Sequence, residues 1–396
     1  MSLIKEDHRF LRILVLKSRS PLRLDSGRLR RTRASILLTP PRRFSKIASM
    51  KILTLAISLL FASGALASVD DHVLQRREEP VCFDIPAATR EGSFQQPIDH
   101  RTSATFAQRY WQNSSFVKDA RTAPVILHIC GEADCTDGYF LNDSALDWAR
   151  DLGAHVVYLE HRFYGKSIPF ADMSVDHMSS LTLDNILEDL ANFQRSISAK
   201  NGWQGKWIVV GGSYSGTLAA LYRQKHPELV VGALASSAPM VSGVGSETSG
   251  SPYENLPGVN NDERSWSYQA CTELGFWIAN GPNAGDDVYV PSASFCNSVF
   301  PGAKRFDKDA YNREYNQPFL SKGPDAPSNI FFTYGSEDVW TALGLINQSN
   351  ANSSITIHLL NGAVHHYDLN AASPGDSADV KQARADFLAF ARTWLQ

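Results

Sequence analysis

The sequence lacks the patterns that metal-binding, membrane and nucleic-acid proteins share. Its five cysteines form no C-x-x-C pair and no Cys/His cluster with zinc-ligand spacing, so we expect neither a bound metal nor a cofactor. It contains no run of about 20 apolar residues, the length that a permanent membrane-spanning helix requires. The 396 residues are 43% hydrophobic, which provides enough apolar side chains for one large domain or two ordinary ones.

Positive charge is scarce after residue 49. Residues 1–49 carry thirteen Lys and Arg against three Asp and Glu, whereas the remaining chain has 25 basic and 38 acidic residues. An acidic body cannot neutralise phosphate groups, so we expect no nucleic-acid partner.

Residues 50–67 resemble a secretory signal peptide. Lys51 is followed by an apolar stretch at 52–62, and small residues precede a predicted cut after Ala67. Once this peptide is removed the chain is predicted to have no membrane contact. We therefore expect a secreted protein, with a vacuolar or lysosome-like compartment as the alternative.

The segments around this peptide are predicted to lie outside the fold. Residues 1–49 are Arg-rich and acid-poor, which is typical of an unstructured extension or of a transit peptide. Residues 68–80 include the dibasic pair Arg76-Arg77 and are interpreted as a propeptide. The folded domain is predicted to occupy residues 81–396.

Two further patterns agree with secretion. Four Asn-x-Ser triplets predict glycosylation, at Asn113, Asn142, Asn347 and Asn352. The cysteines are Cys82, Cys130, Cys135, Cys271 and Cys296. An oxidising compartment favours a Cys271–Cys296 disulfide and one more bridge, whose partners the sequence leaves open, with one thiol remaining.

Short, continuously apolar runs alternate with helical patterns, which predicts an α/β fold whose parallel sheet is covered on both faces. The predicted strands are Val125–Ile129, His155–Leu159, Trp207–Val210, Gly232–Ser236, Asn329–Tyr334 and Ile355–Leu360. Helices are predicted at about 143–151, 182–199, 215–225 and 377–395. The alternation stops between about 241 and 328, a segment that we interpret as an insertion between two strands.

The turn around Ser213 is the strongest chemical signal. An apolar strand leads into Gly211-Gly212-Ser213, and an apolar helix follows. This strand–turn–helix pattern is typical of a nucleophile elbow, in which a strained turn exposes a serine hydroxyl above the sheet. Ser215 is the rival nucleophile, and a glycine-rich turn without chemistry is the alternative reading.

A serine nucleophile needs a base and an acid, which follow it along the chain in such a fold. Asp338 comes just after the predicted strand Asn329–Tyr334, with Glu337 as its nearest competitor. His365 and His366 come after the next strand, where the base is expected. The alternative interpretation is that each of these side chains is an ordinary loop residue without a catalytic role.

Several ordered motifs together resemble the prolyl carboxypeptidase and dipeptidyl peptidase II family of serine peptidases, from about residue 94 to the C-terminus. The motifs begin at Phe94 (FQQPIDH), Leu159 (LEHRFYGKS), Gly211 (GGSY), Ser236 (SSAP), Trp266 (WSYQACTE), Glu337 (EDVW) and His365 (HHYDL). The resemblance implies an α/β-hydrolase fold and a peptidase that cleaves peptides at prolyl bonds. It assigns Ser213 as nucleophile, Asp338 as acid and His365 as base.

The resemblance and the fold also suggest the residues around the triad. The Tyr214 amide and a donor from the loop containing Gly131 are predicted to bind the oxyanion. Trp340 matches a family tryptophan expected to line a proline pocket, and Glu132 is predicted to contact substrate. The chain departs from the family at Cys130 and Ala133, where glycines are usual.

The insertion is also unusually short. Family members carry a large helical cap there, whereas the segment at about 241–328 predicts only a reduced one. We therefore retain two alternatives to a secreted exopeptidase: an esterase or lipase of the same fold, and a non-catalytic secreted glycoprotein. The sequence does not determine the oligomeric state.

Overall fold

The computed structural model describes residues 86–136, 141, 143–248, 262–280, 293–347, 352 and 354–396. The predicted extension, signal peptide and propeptide lie outside these residues, as do Cys82 and Asn142. Within the described residues, no helix combines the length and apolar character needed to cross a bilayer.

Ten strands and eight α-helices are found in the described residues. The strands are β1 (Arg90–Pro97), β2 (Thr105–Asn113), β3 (Val125–Ile129), β4 (His155–Leu159), β5 (Trp207–Gly212), β6 (Val230–Ser236), β7 (Gly243–Thr248), β8 (Phe276–Asn280), β9 (Ile330–Gly335) and β10 (Ile355–Leu360). The helices are α1 (Ser144–Leu152), α2 (Val175–Met178), α3 (Leu183–Asn201), α4 (Ser213–Lys225), α5 (Asp262–Gln269), α6 (Ala293–Val299), α7 (Lys308–Tyr311) and α8 (Ala378–Leu395).

Eight strands form one sheet in the order β1-β2-β4-β3-β5-β6-β9-β10. The first two are antiparallel to their neighbours, and the pairs from β4 to β10 are parallel. This order and the strand–turn–helix at Ser213 define the α/β-hydrolase fold, as the resemblance implied. The antiparallel strands β1 and β2 were not predicted, because β1 is largely exposed and β2 mixes polar with apolar residues, so that neither gives a continuous apolar run.

Apolar side chains of alternate residues pack on opposite faces of the sheet. In β3, Val125 and Leu127 join the cluster that includes α3 and α4, whereas Ile126 joins the cluster that includes α1 and α8. Both faces are therefore covered, which explains why the central strands are apolar throughout.

The insertion is folded where the structure describes it. Strand β7 pairs in parallel with β8, and the Cys271–Cys296 disulfide joins the segment after α5 to α6. Sequence periodicity did not reveal these elements, because they are short and two of the helical turns are π-helical.

Two predicted glycosylation sites are poor acceptors in this fold. Asn113 lies in β2 with 2% of its surface exposed, and its amide donates to the Thr89 hydroxyl. Asn352 is also buried, and its amide donates to the Pro327 carbonyl. A glycan requires an exposed amide, so the prediction of glycosylation at these two positions is wrong for the folded chain.

Candidate active site

Ser213 occupies the sharp turn between β5 and α4. Its backbone φ is +56°, a left-handed conformation that costs a non-glycine residue energy and is maintained by the surrounding structure. A Cβ on Gly211 would lie 2.1 Å from the Ser215 carbonyl oxygen, and one on Gly216 would lie 2.8 Å from the Ser236 carbonyl oxygen. The glycines are therefore needed because strand and helix backbones approach closely there.

Ser215, the rival nucleophile, has a different position. Its hydroxyl accepts from the Gly212 amide at 3.0 Å and donates to the Gly212 carbonyl at 2.7 Å. It is only 1% exposed, whereas Ser213 is half-buried. The Ser215 hydroxyl thus secures the first turn of α4 and is not directed at a substrate.

Asp338 and His365 come together although 27 positions separate them. The His365 Nδ1 lies 2.9 Å from the Asp338 Oδ1, and the Trp340 amide donates to the same oxygen at 2.9 Å. Burial alone would raise the pKa of Asp338, but the adjacent His365 imidazole, the Ser237 hydroxyl and the Trp340 amide outweigh burial and lower it. Asp338 is therefore held as a buried carboxylate beside a partly exposed imidazole.

Ser237 belongs to the site, although the sequence predicted no role for it beyond its place in the SSAP motif. Its hydroxyl accepts from the His366 amide at 2.8 Å, and its proximity helps to lower the pKa of Asp338. It also has a left-handed backbone, with φ of +50°. A small hydroxyl residue directly after β6 was the only available signal, because its partners lie more than 100 positions away.

A small cavity of about 40 Å³ lies beside Ser213. Its lining includes Gly131, Glu132, Ser213, His128 and His366. His128 and Asp143 form a buried pair in this lining, with His128 Nδ1 at 2.7 Å from an Asp143 oxygen. The cavity therefore joins the Ser213 turn to the loop after β3 and to the His365-His366 loop.

The loop after β3 is fixed at both ends. A disulfide joins Cys130 to Cys135, and this is the second bridge that the sequence left open. Cys130 is fully buried in the core on the α1 side and does not line the cavity, so its side chain does not narrow the site. Asp134 accepts from Arg109 at 2.8 Å, and Arg109 also donates to the buried Glu160.

Glu132 is the unusual titratable group of the cavity. Burial raises its pKa to about 7, and the charge of His365 partly opposes this rise. A carboxyl group beside Ser213 is therefore half-protonated near neutral pH. Trp340, by contrast, is absent from the cavity lining, and its half-buried ring packs against the core.

The side chain of Tyr214 points away from the cavity into a buried polar network. Its hydroxyl contacts His161 Nε2 at 3.2 Å and Gln269 Nε2 at 2.6 Å. The Tyr214 amide remains in the first turn of α4, where unpaired N–H groups and the helix dipole favour negative charge.

Comparison with known families identifies the chain. The family model Serine carboxypeptidase S28 matches residues 95–248 and 244–387, which is well over half of the sequence. The chain therefore belongs to the S28 family of serine peptidases. Both halves of the match contain proposed site residues, with Ser213 in the first and Asp338 and His365 in the second.

Curated relatives match a shorter region. Human lysosomal Pro-X carboxypeptidase is 36% identical over 169 residues, which cover 39% of this chain and 34% of the relative. Mouse thymus-specific serine protease is 36% identical over 159 residues, which cover 39% of this chain and 31% of the relative. The alignments thus span about a third of the length of these relatives.

Solved structures with a similar fold are more distant. An arylesterase superposes with a TM-score of 0.44 at 12% identity, covering 86% of this chain and 98% of the arylesterase. The thermophilic carboxylesterase EstE1, from a metagenomic library, superposes with a TM-score of 0.45 at 14% identity, covering 78% of this chain and 90% of EstE1.

Proposed function

We propose that the chain is a serine exopeptidase that cleaves peptides after proline. The observation that carries this proposal is the strained Ser213 turn at the N-terminus of α4, with the His365–Asp338 pair on the loops after β10 and β9. Ser213 attacks the substrate carbonyl, and His365 takes its proton through Nε2. Asp338 holds the Nδ1–H tautomer, and water later hydrolyses the acyl-enzyme.

The oxyanion that forms during attack needs donors near Ser213. We assign this role to the Tyr214 amide and to the Gly131 amide, since Gly131 lines the cavity beside Ser213. Neither donor requires a side chain, so Cys130 and Ala133 in place of the usual glycines are compatible with the assignment.

The proposal includes two specificities: the enzyme cleaves after proline, and it cleaves close to a terminus of the peptide substrate. Four of the relatives are Pro-X carboxypeptidases, the human and mouse proteins among them, and this supports a preference for proline. Trp340 is proposed to contact the proline ring from the loop that contains Asp338. Glu132 is proposed to contact the charged terminal group of the peptide substrate. Its carboxyl group lies beside Ser213 and changes charge near neutral pH. A secreted or lysosome-like location agrees with the predicted signal peptide.

A fluorophosphonate probe tests the nucleophile. The probe should label the wild-type protein and fail to label Ser213→Ala, whereas Ser215→Ala should retain labelling because its hydroxyl only secures the helix. Folded wild-type protein that resists labelling would overturn the proposal and favour a non-catalytic glycoprotein.

Panels of peptide and ester substrates then test the proposed specificity for proline and for a terminus of the substrate. Rapid release of p-nitroaniline from Xaa-Pro anilides would indicate dipeptidyl peptidase activity, and release of a C-terminal residue after proline would indicate carboxypeptidase activity. Hydrolysis of p-nitrophenyl esters without any prolyl peptidase activity would instead identify an esterase.

A further inference from the structure

We propose that a directed chain of buried hydrogen bonds fixes the Tyr214 side chain and thereby positions the oxyanion-binding amide of the same residue. Tyr164, Gln269 and His161 are assigned as positioning residues through this chain. The inference rests on the proposed function, since it concerns how the Tyr214 amide is kept in place beside Ser213.

The direction of each hydrogen bond follows from the acceptor at one end. His161 Nδ1 lies 2.6 Å from the Arg162 carbonyl oxygen. A carbonyl oxygen can only accept, so Nδ1 carries the proton and Nε2 of the neutral ring offers its lone pair. The Tyr214 hydroxyl, 3.2 Å from Nε2, must therefore donate to it.

The rest of the chain is then determined. Because the only hydroxyl proton of Tyr214 points to His161, its oxygen accepts from Gln269 Nε2 at 2.6 Å. The other end of the same amide, Oε1, accepts from the Tyr164 hydroxyl at 2.6 Å. Each hydroxyl proton has one acceptor, and the orientation of the Gln269 amide is fixed by both tyrosines.

Burial leaves this arrangement without competition from water. Tyr164, Gln269 and Tyr214 are fully buried, and His161 is 3% exposed. Burial lowers the pKa of His161 to about 4, so that the neutral acceptor form persists across the neutral range. A buried polar group that loses its partner here would remain unsatisfied, which makes the chain rigid.

This chain of hydrogen bonds connects three separate parts of the fold to the Ser213 turn. His161 and Tyr164 lie in the loop after β4, Gln269 is the last residue of α5 in the insertion, and Tyr214 follows the nucleophile. The side chain of Tyr214 is thus anchored on two sides while its amide faces the developing oxyanion. Small displacements of such a donor reduce transition-state stabilisation without weakening substrate binding.

Tyr214→Phe tests this assignment, with Tyr222→Phe as the matched control. Tyr222 lies on the same helix, is fully buried, and donates to Gln194 at 2.8 Å. We expect Tyr214→Phe to lower kcat about tenfold with unchanged KM and to weaken a peptide aldehyde inhibitor about tenfold, since loss of an entire oxyanion donor costs more. Tyr222→Phe should change neither quantity.

A second pair of variants covers the case in which Tyr214→Phe does not fold. Gln269→Met removes both central hydrogen bonds, and Gln194→Met removes the equivalent pair in the control network. The inference would be overturned if Tyr214→Phe had the same kcat and aldehyde affinity as Tyr222→Phe, and Gln269→Met the same values as Gln194→Met. The peptidase proposal would remain intact. Wild-type protein that does not react with fluorophosphonate would overturn both.

Discussion

The Nδ1 atom of His365 lies 2.9 Å from the Oδ1 atom of Asp338 because their two loops leave adjacent strands at the same edge of the sheet. Strands β9 and β10 are parallel, with Gly335 opposite Leu360 at their carboxyl ends. Asp338 follows the first strand by three residues and His365 follows the second by five. The register of two parallel strands therefore decides that these side chains meet.

Asp338→Asn should lower kcat about 10⁴-fold, because an amide donor in place of the carboxylate favours the wrong imidazole tautomer. Glu337→Gln is the control, since Glu337 is exposed and its carboxylate contacts only the adjacent Ser336 hydroxyl among the hydrogen bonds of the described residues. The rate of acylation by an activated ester measures both variants. Similar rates for the two would contradict the role of Asp338.

The sequence predicted the central sheet well because buried parallel strands are apolar throughout. Val125–Ile129, His155–Leu159 and Ile355–Leu360 have the predicted bounds, and the α/β-hydrolase fold is confirmed. The same logic located Ser213, Asp338 and His365 at strand ends. Their catalytic roles stay predictions.

What the sequence could not predict depends on contacts between distant segments. The Ser237 hydroxyl acquires its role from loops about 100 positions or more downstream, and Gln269 from a tyrosine 55 positions upstream. The Cys130–Cys135 bridge was one of several allowed pairings, since cysteine spacing alone does not decide connectivity.

Glu132 should make stability depend on pH in a specific window. Its pKa is raised from 4.5 to about 7 by burial, so the folded chain retains a proton that the unfolded chain has lost between these pH values. Its contribution to stability is therefore complete below pH 4.5 and is lost as the pH rises through 7.

Glu132→Gln removes this titration. As the pH rises from 4.5 to 8, the free energy of unfolding of the variant should increase by about 3 kcal/mol relative to that of wild type. Urea titrations at the two pH values measure the difference. The lowered pKa of His366, about 4, acts in the opposite direction but is common to both proteins and cancels. A pH-independent difference would contradict the raised pKa of Glu132.

Arg162→Met should destabilise the fold by about 3–5 kcal/mol, because it leaves the buried Asp189 carboxylate without its main cation. Arg162 donates to both Asp189 oxygens at 2.5 Å and to three backbone carbonyls. The exposed pair of Arg101 and Asp99 is the control, and Arg101→Ala should leave the stability almost unchanged, because solvent screens this pair. Thermal or urea unfolding distinguishes the two.

The two disulfides should affect different properties. The Cys271–Cys296 bridge has a sequence separation of 25, and the chain-entropy model predicts that replacing both cysteines by alanine costs about 3 kcal/mol. The Cys130–Cys135 bridge has a separation of only 5, so its removal should cost less stability, about 2 kcal/mol.

Activity should follow the opposite order, because only the shorter bridge closes the loop that contains Gly131 and Glu132 beside Ser213. We expect the Cys130→Ala/Cys135→Ala variant to react with fluorophosphonate about tenfold more slowly, since a mobile loop presents its oxyanion donor in the correct place less often. The Cys271→Ala/Cys296→Ala variant should react at the wild-type rate at a temperature where both variants are folded. Wild-type reactivity without the shorter bridge would mean that the Arg109–Asp134 contact alone is sufficient to hold the loop.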